Sequence, residues 1–218
     1  MNLRTLTQLQ DAIDSEMAWR RKELFAIKAN IKSARKFAKE TALRAGIALL
    51  YAHWEGAIKN IASHYLIYVS NKRLTYSELK SNFLAISIKA DLGVYESTGR
   101  ASSQTRIIDL VFAKQSEASR IPKKGIIKTN SNLNSKVFAE IMAAIGLDSS
   151  VYEVHYKLID EVLLNMRNKI AHGEKIEVAL SLDENRYDEI HDQMLDLIDL
   201  FSVQVLNAAI MEDYKARS

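Results

Sequence analysis

A chain of 218 residues, 48% hydrophobic and with a net charge of +3, is long enough to bury a sizeable core in one domain. One Pro and seven Gly are too few for a turn-rich β protein, and the absence of Cys excludes disulfides and thiolate metal sites. No uninterrupted apolar run reaches membrane-spanning length and no signal-peptide core follows Met1, so a cytoplasmic protein without membrane association is expected.

Leu6, Leu9, Ile13, Met17, Leu24, Ile27 and Ile31 keep a helical beat, which predicts a first helix over 3–37. Leu43, Ile47, Leu50, Trp54, Ile58, Ile61, Tyr65 and Tyr68 alternate threes and fours, the pattern of a bundle helix over 41–70. A third helix is expected near 75–91, capped by Thr75 or Ser77. The pattern then dissolves, and 93–132 reads as a mixed insertion with a helix at 104–115 and an extended piece at 125–129. This insertion carries seven basic residues against Glu96, Asp109 and Glu117, which suits either a basic lid or a solvent-facing excursion.

Asn134 or Ser135 caps a helix over 136–145 that Gly146 stops. A helix over 151–172 follows, then a short extended link or hairpin arm over 174–180. A capping box at Ser181-Leu182-Asp183-Glu184 opens a last long helix reaching about Tyr214. The fold class is therefore all-α, an up-and-down helical bundle in a single domain over 1–218 with an insertion at about 93–132. Residues 20–44 carry nine Lys or Arg against two acids, and residues 181–213 nine Asp or Glu against Arg186. These are solvated faces, or faces that pair with each other or across a dimer.

The helix over 151–172 holds the chemistry. Val162, Met166 and Ile170 mark its buried stripe, and Glu161, Asn165, Asn168 and His172 form a polar one. Arg167 precedes His172 by five residues, about 7.5 Å along an α-helix and roughly 140° around it. Gly173 then ends the helix. An always-charged guanidinium, an amide and an imidazole at a helix end suit holding a phosphate and moving a proton. RNA cleavage without a metal asks for little more, since the ribose 2′-OH is the nucleophile. On spacing alone, Arg167 and His172 either make ion pairs and cap carbonyls at a helix end or form a candidate catalytic pair, with Asn168 holding the ring or the scissile phosphate. Lys169 and Asn165 are candidates for substrate contact, and Glu55 for orienting Arg167 unless it pairs with Lys59 instead. No close pair of His with an acid appears, so neither a metal site nor a cofactor is expected.

Arg167-Asn168-Lys169-Ile170-Ala171-His172 resembles the Arg-x4-His signature of HEPN domains, many of which are metal-independent ribonucleases of toxin–antitoxin and phage-defence systems. Leu6-Thr7-Gln8-Leu9-Gln10, Leu50-Tyr51-Ala52-His53-Trp54-Glu55-Gly56 and Ser131-Asn132-Leu133-Asn134-Ser135 resemble the MAE-type bacterial branch of that family. The resemblance implies RNA as substrate, a homodimer with paired motifs across a cleft, and a neutralising or regulatory protein partner. Gly173-Glu174 departs from the His-x-Tyr ending of those HEPN toxins whose Tyr is nucleotidylated, so that regulation is not implied. The alternative is a non-catalytic HEPN module that binds RNA, a nucleotide or a protein.

Overall fold

The computed structural model describes residues 2–96, 101–175 and 182–216, without the side chains of 90–96, 101, 103 and 104. Its helices are α1 (Leu6–Ser33), α2 (Lys36–Ser70), α3 (Ser81–Glu96), α4 (Ala101–Lys114), α5 (Ser135–Ile145), α6 (Asn165–Ala171) and α7 (Glu184–Ile210). Among the described residues there is no strand, only two isolated bridges, Thr75 with Ala118 and Leu79 with Lys215. The fold is all-α, as the periodicity predicts.

The bundle is built around α2. At 35 residues it is roughly 52 Å long. Leu43, Ile47, Leu50, Tyr51, Trp54, Ala57, Ile58, Ile61, Tyr65 and Val69 are all buried along it. A helix apolar around so much of its circumference must be covered from several sides. α1 runs antiparallel to it, Arg20 reaching His53 and Asn71 reaching back to the carbonyl of Leu3. α7 runs parallel to it, from Lys39–Glu184 at one end to the Tyr68–Tyr214 ring contact at the other. α6 lies antiparallel again, with Arg167 over Tyr51 and Arg44 holding the carbonyl of Glu174. In chain order α1, α2, α6 and α7 therefore run up, down, up, down. α5 closes the remaining side, Phe138 packing among Trp54, Tyr152 and Phe201.

Local chemistry fixes the ends. Thr5 and Gln8 form a reciprocal capping box at the start of α1. Asn134 caps α5 through the Val137 N–H, and Gly146 (φ +73°) stops it. Asp183, not Ser181, is the N-cap of α7, accepting from the Arg186 N–H. Ser181 and most of the expected link at 174–180 lie outside the described residues.

Several expected boundaries move. The break between α1 and α2 falls at Ala34-Arg35, because Ala34 turns extended (ψ 141°) while the apolar beat passes through. The helix expected over 75–91 is two pieces: a single 3₁₀ turn at Tyr76–Glu78, capped by Thr75 and Glu78, and then α3. The piece at 125–129 forms no strand; Ile127 and Thr129 tuck inward while Lys128 stays exposed. α7 ends at Ile210 rather than near Tyr214, which folds back so that its ring packs on Tyr68. The helix over 151–172 is a 3₁₀ stretch (Ser150–His155), a π-helical stretch (Leu158–Leu164) and then α6.

The opposed charge blocks pair within the molecule. Arg21 meets Asp199 at 2.6 Å, Lys28 meets Asp188 and Asp192, and Lys32 meets Asp188. α7 has the length and composition of a membrane span. Its apolar side nevertheless packs inside the bundle, with Tyr187, Ile190, Met194, Ile198, Phe201 and Val205 fully buried.

Gly46 is where α1, α2 and α7 come closest: a Cβ there would sit 2.7 Å from both Ile31 Cδ1 and Tyr187 Cε2. The Tyr187 ring is fully buried and cannot swing away. Gly46→Ala should therefore destabilise the fold by about 1–3 kcal/mol, read as a lower urea midpoint at unchanged slope.

A buried polar knot joins α1 to α2. Arg20 is 4% exposed, donates to Glu16 at 2.8 Å and to the His53 carbonyl at 3.3 Å, and packs on Trp19. His53 faces Glu23 at 3.2 Å. Burial first, then the Arg20 charge, hold the His53 imidazole below its ordinary pKa despite Glu23. A lowered folded pKa means the unfolded chain binds more protons, so stability is full above about pH 6.5 and declines as pH falls below it. His53→Gln should flatten that decline in urea titrations between pH 7.5 and 5.

Candidate functional site

α6 is only seven residues long, and the stretch before it decides how it faces the bundle. The π-helical stretch advances the chain with i→i+5 bonds, so its faces drift from α spacing. The expected buried stripe shifts accordingly. Ile159, Leu163, Leu164 and Met166 are buried, whereas Val162 and Ile170 are only half-buried. Glu161 and His172 are exposed and Asn165 and Asn168 half-buried, so the polar stripe is not one evenly solvated face.

Arg167 is the best-held of the predicted residues. Its guanidinium carbon lies 4.0 Å from the centroid of the Tyr51 ring, a cation–π contact with the flank of α2. Its Nη2 donates to the Ser131 carbonyl at 2.7 Å, and its Nε is buried with no acceptor. Tyr51 is tied in turn: its hydroxyl accepts from the Leu133 N–H at 2.6 Å. Burial raises the Tyr51 phenol above its usual value, against the lowering effect of Arg167 and Leu133, so it stays protonated at neutral pH.

Glu55 lies one turn along α2 from Tyr51, on the same face. Its carboxylate accepts from the Thr129 hydroxyl. Among the described residues no ion pair joins Glu55 to Arg167 or to Lys59, which corrects both expected partners. Glu55 and Arg167 nevertheless line one shallow cleft of about 300 Å³, with Ala48, Ala52, Ser131 and Ala171. Small side chains on both helices leave room there for a flat or extended ligand, with one cation and one anion at its walls.

The segment over 129–135 walls the site beside α2 and α6. Thr129 reaches Glu55, Ser131 reaches Arg167, and Leu133 reaches Tyr51. Ser135 donates from its N–H at 2.7 Å and its hydroxyl at 2.5 Å to Asp160 in the π-helical stretch. Two stretches singled out in the sequence, 50–56 and 131–135, thus converge on Arg167. Tyr51, Thr129 and Asp160 received no role from sequence reasoning. The four-residue Tyr51–Glu55 spacing was the available signal for the first; nothing local signals the other two.

His172 sits at the C-cap of α6 (φ −86°, ψ 3°), exposed. Gly173 at φ +72° lets the chain reverse, with its N–H on the Ile170 carbonyl and the Glu174 N–H on the Lys169 carbonyl. That is the Schellman arrangement, and it fixes the His172 backbone at the helix end. The Asn168 carbonyl accepts from the His172 N–H at 3.0 Å, and Lys169 is half-buried. No hydrogen bond links the Arg167 and His172 side chains among the described residues. Arg167 does not stand at the helix end but at its start, against α2. Among the described residues no three His, Cys, Asp or Glu side chains gather as metal ligands would.

These surroundings give the two residues different structural weight. His172→Ala removes only exposed atoms and should change stability by less than about 0.5 kcal/mol. Arg167→Ala strips the Ser131 carbonyl of its donor and the Tyr51 ring of its cover, and should cost about 1–2 kcal/mol. Urea unfolding of both variants checks this.

No curated protein and no solved structure gives a significant match to the chain. A family model described as RiboL-PSP-HEPN matches residues 15–207, a span that takes in α2, the whole cleft and the Arg167–His172 helix. The chain belongs to the RiboL-PSP-HEPN family of HEPN domains.

Proposed function

We propose that this chain is a metal-independent endoribonuclease of a bacterial defence or toxin–antitoxin system, one HEPN-like domain acting in the cytoplasm with residues 93–132 as an insertion. Arg167 and His172 are its catalytic pair, in the Arg-x4-His arrangement of MAE-type HEPN proteins. The observation that carries the reading is an arginine held against an aromatic ring beside an open cleft, on the same short helix that ends in an exposed histidine. In the reaction the 2′-OH attacks its neighbouring phosphorus while the bond to the 5′-oxygen breaks. The products are a 2′,3′-cyclic phosphate and a 5′-hydroxyl. His172 exchanges the proton of the attacking or the leaving oxygen, Arg167 balances charge growing on the phosphoryl oxygens, and Asn168 orients ring or phosphate.

One imidazole cannot readily be base for the 2′-OH and acid for the 5′-oxygen in the same step. A homodimer that faces two copies of the motif across a two-fold axis supplies the second His and Arg. Lys169 and Asn165 then contact substrate, and a neutralising protein partner covers the cleft when the enzyme is silent. The non-catalytic alternative, a HEPN module binding RNA, a nucleotide or a protein, draws support from one observation. The Arg167 Nη2 is already engaged by the Ser131 carbonyl.

Purified protein should cleave RNA in excess chelator, leaving 2′,3′-cyclic phosphate ends. His172→Ala and Arg167→Ala should each lose at least about 100-fold in rate, and Arg167→Lys should also be damaging because an ammonium lacks the planar fork. Mixed Arg167→Ala and His172→Ala chains should regain part of the activity that neither has alone. Wild-type rates in the His172→Ala chain would remove that residue from the mechanism.

A further inference from the structure

We propose that the segment 129–133 is a latch over Arg167, holding the edge with which that arginine would grip a phosphate, and that a single-stranded polyanion displaces it. The proposal rests on the reading of Arg167 as a phosphate-binding residue.

An arginine holds a phosphate best through two parallel N–H groups, and Nε with Nη2 form the side-on fork. Here Nη2 is spent on a neutral carbonyl, that of Ser131, at 2.7 Å. Nε is sealed from solvent and has no acceptor. A carbonyl is a weaker acceptor for a guanidinium than a charged oxygen pair, and it leaves the second donor of the fork unmet.

Both flanks of the segment are tied to the face of α2 that borders the cleft. The Thr129 hydroxyl bonds Glu55 and the Leu133 N–H bonds the Tyr51 hydroxyl. Between these ties, Asn130 and Ser131 both stand at φ +52°, in the left-handed region that residues with a Cβ rarely adopt. The closed state thus carries two strained residues and an orphan N–H, and opening relieves all three. Opening trades two side-chain ties and one carbonyl, with the fully buried Leu133 side chain staying in the core as the pivot. The segment just before it is basic, with Arg120, Lys123, Lys124 and Lys128 exposed on its surface. A nucleic acid strand drawn to those charges arrives beside the latch and brings the phosphate that outcompetes Ser131.

The test follows amide exchange at Leu133 in the full chain, with a 2′-O-methyl oligoribonucleotide that cannot be cut by 2′-OH attack. Saturating oligonucleotide should speed Leu133 exchange at least tenfold in the wild type and have no further effect in Arg167→Ala. Thr129→Val should speed the exchange without oligonucleotide and tighten binding severalfold, whereas Thr129→Ser, which keeps the hydroxyl, should behave as wild type. Asn130→Gly with Ser131→Gly removes the left-handed strain, and should slow opening and weaken binding. Oligonucleotide that fails to bind, or binds while leaving or slowing Leu133 exchange, would overturn the latch. So would weaker binding by a folded Thr129→Val chain, since the segment would then be a scaffold for Arg167. If exchange responds as expected but unmodified RNA is never cut, the latch stands and the ribonuclease reading fails.

Discussion

The constraint on which everything else depends is the burial of α2 from several sides between Leu43 and Val69. A helix apolar on most of its faces leaves its polar groups only at the seams between neighbours, where they must find partners or stay costly. Tyr51, His53 and Glu55 are three such groups, and together they tie down α1, α6 and the segment 129–133. Tyr51 takes the Leu133 N–H and the Arg167 face, His53 joins the Arg20 knot on α1, and Glu55 takes Thr129. The cleft exists because α2 offers Ala48 and Ala52 where α6 crosses it. A bulkier residue at either position would fill the space that now separates Arg167 from Glu55.

The sequence made the long helices legible because each carries its own apolar period. It also marked Arg167 and His172, and it marked the stretches around Tyr51 and Ser131, although without saying that they meet. What stayed hidden was set by tertiary contact. The 3₁₀ and π windings of 150–164 keep enough apolar residues in step to pass for one α-helix, yet they change which of them turn inward. Asp160 illustrates the loss: at α-helical spacing it reads as a surface acid, but it is the anchor for both polar groups of Ser135. The Glu55–Arg167 pairing failed for the opposite reason. The two residues do share a cleft, but a threonine from an irregular segment far along the chain reaches the carboxylate first. Composition foretold neither event.

Irregular helix before a short regular one is also a way to aim a side chain. π turns are often found at functional positions because they re-register a face without breaking the helix. Here the π-helical stretch is fastened to α5 through Asp160 and is followed at once by α6, so the direction of Arg167 is inherited from α5 as well as from α2. Gly173 finishes the device by reversing the chain directly after His172 and ending α6 there. His172 is therefore positioned by backbone winding alone, whereas Arg167 is held as well by the Tyr51 ring and the Ser131 carbonyl.

The α1–α7 seam has a consequence for how the molecule appears from a distance. Arg21, Lys28 and Lys32 on α1, and Lys39 on the adjoining α2, are each within 4 Å of an acid on α7, so their charges form closely spaced dipoles. Dipole fields die away faster than those of single charges, and at physiological salt little survives beyond about 8 Å. To an approaching polyanion that flank is nearly silent. The lysines and arginine of 120–128 have no such compensation in their own stretch, which holds no Asp or Glu. A chain whose net charge is only +3 can therefore still present a directional field. Encounter rates with nucleic acid should depend on that small stretch, and on ionic strength through it, more than on those four paired cations.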